Sequence, residues 1–148
     1  MARMKTKEIQ ANLVATMHNW QHIEDASVTS TNKIIEKTDN ELIRMVMEII
    51  QADSRLHYRV QGLIADSVSK KPVKLTPDEL GAVWNSIRKH IKMEKDMVGY
   101  VEETLAQIKG RKMLVQEYLL SYLREDEKKH DNLLDALELI KAGTYPYA

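Results

Sequence analysis

Cysteine and phenylalanine are both absent from the 148 residues, and glycine and proline number only five and three. Without cysteine there is no disulfide framework, no zinc–thiolate or iron–sulfur site and no thiol nucleophile. So few breakers, in a chain 43% apolar and 30% charged, argue against sheets and for long helices. An excess of one charge is also lacking. The 22 Lys and Arg match 22 Asp and Glu, which speaks against the basic surface of a nucleic-acid binder. No apolar run approaches the ~20 residues of a membrane span. The opening Met1-Ala2-Arg3-Met4-Lys5-Thr6-Lys7 lacks the apolar core of a signal peptide. The expectation is a cytoplasmic protein with neither nucleic acid nor membrane as partner. Any chemistry must rest on histidines, carboxylates, hydroxyls or a bound cofactor.

The rare breakers partition the chain. Thr38-Asp39-Asn40-Glu41 and Thr76-Pro77-Asp78-Glu79 both read as capping boxes, the second with proline at the first helical position. Lys109-Gly110-Arg111 is a short turn, and Ala142-Gly143 ends the last periodic segment. The pattern predicts an all-α four-helix bundle, a single domain over 1–148, with helices at about 5–37, 40–68, 77–109 and 111–142 and a short tail 143–148. Each helix of some 30 residues is about 45 Å long.

Apolar residues recur at helical spacing in every segment: Ile9, Leu13, Met17 and Trp20 in the first; Val46, Ile50, Val60 and Ile64 in the second; Leu80, Trp84, Ile87, Ile91, Val98 and Val101 in the third; Leu120, Leu123, Leu134 and Leu137 in the fourth. Each stripe is interrupted near its middle by charge. Glu24 stands in the first gap, Asp53 and His57 in the second, Glu94 in the third, Glu127 and His130 in the fourth. An ionised carboxylate on a buried stripe costs several kcal/mol unless paired, protonated or metal-bound. Measured from the hairpin ends, these positions lie within about one to two turns of a common level. Two helices offer a glutamate, the other two a histidine, and one histidine follows a glutamate by three. That is the plan of a di-metal carboxylate centre in a helical bundle.

The halves read as a repeat, with Ile49 to His57 aligning on Tyr122 to His130 without a gap. The segment Leu123-Arg-Glu-Asp-Glu-Lys-Lys-His-Asp-Asn-Leu-Leu134 resembles the fourth helix of the rubrerythrin branch of the ferritin-like superfamily. The stretch from Ile23-Glu24 through Glu36-Lys37-Thr38 to His57 is similar to that family's first hairpin. The resemblance spans almost the whole chain. It implies two metal ions, iron first and zinc or a mixed pair otherwise, on Glu24, His57, Glu94, Glu127 and His130. Asp53 and His90 are further ligand candidates. The resemblance also implies bridging glutamates on the second and fourth helices, and here Ser54 stands where the second helix should carry one. The activity implied is that of a di-iron oxidoreductase, reducing peroxide or oxidising Fe(II) with oxygen. Electrons would come from an external donor, since the rubredoxin-like module has no cysteine to build it.

A different reading of the same residues is a non-catalytic helical bundle, an interaction module with a structural or relaxed metal site. The connection around 67–75 is short for a family whose second and third helices run parallel. Simple up-down-up-down winding or exchange of helical hairpins between two chains would each resolve this, and a homodimer, with exchanged hairpins as one form, is expected. His18 and His22, at i and i+4, read as a polar flank. The tyrosines read as packing residues and the methionines as core filler.

Overall fold

The computed structural model describes residues 5–142 and is all-α, with four helices: α1 (Thr6–Ile35), α2 (Glu41–Ser69), α3 (Pro77–Ile108) and α4 (Leu114–Lys141). No strand occurs among the described residues, as the scarcity of breakers predicts. The tail expected at 143–148 lies outside them. No described helix is long and apolar enough to cross a membrane. The chain divides at Lys74/Leu75 into two compact units, each an antiparallel helical hairpin.

In the first hairpin, α1 ends at Ile35, directly before the turn at 36–37, and Arg44 clamps the loose carbonyls. Its Nη1 donates to Ile35 O at 3.0 Å and Thr38 O at 3.2 Å, satisfying acceptors that a helix end leaves open. Asn40, not Thr38, caps α2. Its Oδ1 accepts from the Ile43 N–H at 3.1 Å, while Thr38 Oγ1 takes the Asn40 N–H. The cap therefore lies two residues beyond the expected one and α2 starts at Glu41, because asparagine at 40 reaches the third helical N–H as well as threonine could.

The second hairpin opens on the expected box. Thr76 Oγ1 accepts from Glu79 N–H at 3.2 Å, and Glu79 Oε2 accepts from Thr76 N–H at 2.9 Å. Its turn uses left-handed backbone at Gly110 (φ 74°) and Lys112 (φ 58°). A helix cannot run through that conformation, so α4 begins at Leu114 rather than 111. Lys95 pairs with Asp131 at 3.2 Å and Lys128 with Glu102 at 3.1 Å, tying α3 to α4 on either side of the midpoint.

A hairpin buries only the narrow seam where its two helices meet. In α1 the buried residues are Met17, Glu24 and Thr31, spaced by seven, and in α2 Gln51, Ser54, Gln61 and Ala65. Seven-residue spacing is that of a two-helix seam. Much of the predicted stripe is instead exposed, including Trp20, Ile50, Val60 and Leu123. The methionines do not form a core either: Met17 is buried, but Met45, Met93 and Met113 are exposed. One partner helix covers too small an arc to take in a broad apolar stripe.

Candidate metal centre

The midpoint of α3–α4 gathers Glu94, Glu127 and His130. Both carboxylates follow from helical spacing: Glu94 lies on the α3 seam with Ile91 and Val101, all three buried. Glu127 and His130, one turn apart, face it from α4. One donor atom from each of the three residues lies within 4.8 Å of the others. His130 Nδ1 is 3.4 Å from Glu94 Oε2 and 3.4 Å from Glu127 Oε2. Two donors about 2.1 Å from a common ion at a tetrahedral angle stand about 3.4 Å apart, so the spacing suits a first-row divalent cation.

Neither Glu94 Oε2 nor Glu127 Oε2 has a hydrogen-bond donor, though both atoms are buried. Orphaned buried carboxylate oxygens are costly. Burial first, then a hydrogen bond and repulsion from Glu94, push the Glu127 carboxyl above its ordinary range, with His130 pulling the other way. A cation between them would satisfy both oxygens at once. The donor set of two carboxylates and an imidazole accepts iron, manganese or zinc and has no soft ligand for copper(I).

The corresponding level of α1–α2 is built differently. Glu24 is buried, and His57 Nδ1 stands 3.5 Å from its Oε1, so the expected pair does come together. The same Oε1, however, already accepts from Gln61 Nε2 at 3.0 Å. Ser54, in the place of Glu127, donates to Ser27 Oγ at 3.0 Å. Further along, Gln51 Nε2 donates to Asn32 Oδ1 and Val28 O, and Gln21 Nε2 donates to Tyr58 O at 3.0 Å. The polar groups of this seam mostly answer one another, Gln61 Oε1 being the unpaired exception. Asp53 is half-buried beside Ser54, and the three-residue cluster does not include it.

His90 joins the second hairpin's site from outside the cluster, its Nε2 2.8 Å from Glu94 Oε1. His18 and His22 are exposed, His18 bonding Gln21 rather than its neighbour, which agrees with a polar flank. Tyr58, Tyr100 and Tyr118 are exposed rather than packed. Gln61 was missed in the sequence because a glutamine seven residues from a serine on an apolar stripe announces no partner. Only the seven-residue spacing of 54 and 61 hinted that both share the seam. No known protein family, curated protein or solved structure matches the chain.

Proposed function

We propose that this protein binds a divalent transition metal at Glu94, Glu127 and His130, as one half of a ferritin-like two-ion centre. The reading includes an oxidoreductase activity on peroxide, or on Fe(II) and oxygen. Its main support is the pair of buried, unpartnered carboxylate oxygens facing one imidazole nitrogen. Glu24 and His57 are the residues the first hairpin would add. When bound, iron would supply one-electron redox chemistry, and the 148 residues contain no cysteine to relay electrons, so a separate donor is needed. The chain's own part is to hold the cation by two carboxylates and an imidazole.

The same reading includes a homodimer. Seven residues, 70–76, separate α2 from α3 and reach about 24 Å fully extended, short of the roughly 45 Å of one helix. Large apolar residues such as Trp20, Leu56, Tyr100 and Leu133 remain exposed, and a second copy would cover them. Exchange of hairpins is one way to do so.

A second reading has its own observation: Gln61 holds Glu24, and Ser54 holds Ser27. On that reading the first hairpin is a hydrogen-bonded seam, and the protein carries one ion per chain in a structural or relaxed site. Metal content after reconstitution with Fe(II) or Zn(II) separates the two. Two ions per chain with peroxide turnover supports the first reading, and one ion without turnover supports the second. Glu127→Ala should weaken binding at least about 100-fold, since even partners outside the ligand set change affinity by about 10–100-fold. No uptake of either metal by the wild type would end both.

A further inference from the structure

The oxygens of Glu94 are treated unequally. Oε2 faces Glu127 and His130 with no donor, while Oε1 lies 2.8 Å from His90 Nε2. The side chain of Glu94 is 5% exposed and that of His90 54%. A solvated imidazole is therefore reaching inward, one helical turn back, to a carboxylate out of contact with bulk water. With Oε1 set against the His90 imidazole and Oε2 unpartnered, a hydrogen bond from Nε2–H to Oε1 would fix the last torsion of the carboxylate and so decide where Oε2 points. The cluster of donor atoms within 4.8 Å takes in Glu94, Glu127 and His130 and leaves His90 out. An opening of about 280 Å³, lined by His90, Glu94, His130, Leu133 and Leu134, connects this place to solvent.

We propose that His90 is a positioning residue for the metal centre: its Nε2–H holds Glu94 Oε1 and keeps Oε2 turned toward Glu127 and His130. The inference rests on the metal-binding reading of the same cluster and assigns His90 a role outside the ligand set. Partners of this kind fix a ligand's orientation and raise its affinity for the ion without touching it. His90 also lines the opening together with Glu94 and His130.

Cobalt(II) titration followed by its visible d–d bands tests this on the full chain. His90→Ala should weaken Co(II) binding by about 10–100-fold, with unchanged stoichiometry and band positions. His90→Gln, whose amide can donate to the same oxygen, should recover most of the loss. With its side chain half in solvent, His90 can be changed without a fold defect, and a helical circular dichroism spectrum like the wild type's checks that. Unchanged affinity in His90→Ala overturns the proposal while leaving the metal centre standing. So does a lost ion or a shifted band, which would make His90 a ligand. If the wild type shows no d–d bands with Co(II), the metal-binding reading itself falls, and this inference with it.

Discussion

The α1–α2 hairpin places Glu24 on its seam and supplies the donors to keep it there. The α3–α4 hairpin places two glutamates on its seam and supplies too few. In the first, Gln61 donates to Glu24, Ser54 to Ser27 and Gln51 to Asn32. In the second, Glu94 Oε2 and Glu127 Oε2 face each other without a donor, and a raised Glu127 pKa records the strain. The helices of both hairpins run 28 to 32 residues, so helix length does not explain the contrast. What differs is whether the polar residues are mutually complementary or complementary to something else. A seam that satisfies itself is a structural device. One that holds unanswered carboxylates has room for a cation to answer them.

The largest effect should come from making the first hairpin resemble the second. Ser54→Glu would set a carboxylate beside Glu24 and His57. In the absence of metal it should lower the melting temperature sharply, since an unpaired buried carboxylate costs several kcal/mol and the seam there is tight. With Zn(II) or Co(II) present, the variant should recover much of that loss and bind one further ion per chain by calorimetry. No added ion would show that the two hairpins differ in more than this one residue.

A pair of smaller changes reverses sign between the hairpins. Gln61→Leu leaves Glu24 Oε1 without its donor and should destabilise by about 1–3 kcal/mol. Glu127→Gln puts an amide N–H beside Glu94 Oε2 and removes a carboxylate that burial opposes, so it should stabilise the metal-free protein by about 1 kcal/mol. Chemical denaturation of the metal-free proteins measures both. Losses of similar size in the two variants would mean that the Glu127 carboxyl is no burden in the metal-free state.

The readable parts of this chain are those where local chemistry decides. The Thr76-Pro77-Asp78-Glu79 box and the Gly110 turn act through their own backbone, and the structure keeps both. Glu94, Glu127 and His130 were legible because charge breaks an apolar period there. The cap at Asn40 was misplaced because two good capping residues lie two positions apart, and spacing alone does not rank them. The apolar stripes overstated burial for another reason. Periodicity reports the width of a face, and one neighbouring helix covers only its central line, leaving Trp20 and Val60 outside. The bond from Gln61 to Glu24 spans 37 residues between helices, and nothing in either segment points to the other.

The smallest effects concern pH, and here too the second hairpin can be set against itself. Glu127 has a folded pKa raised above the ordinary 4.5. Its contribution to stability is therefore complete below that value and is lost as pH rises through the raised one. Glu79, in the cap of α3, is lowered from 4.5, chiefly by the Thr76 backbone N–H and then its hydroxyl. Its contribution is present above 4.5 and is lost as pH falls through the lowered value. Thr76→Ala should cost about 1 kcal/mol and flatten the acid limb of a melting-temperature profile. Glu127→Gln should flatten the limb above 4.5 and leave the acid limb alone. Saturating metal should do the same as Glu127→Gln on the upper limb, because a cation beside the pair offsets the burial and repulsion that raise the Glu127 pKa. If metal leaves that limb unchanged while binding, the ion is held by something other than the Glu94–Glu127 pair, and the contrast between the two hairpins loses its chemical basis.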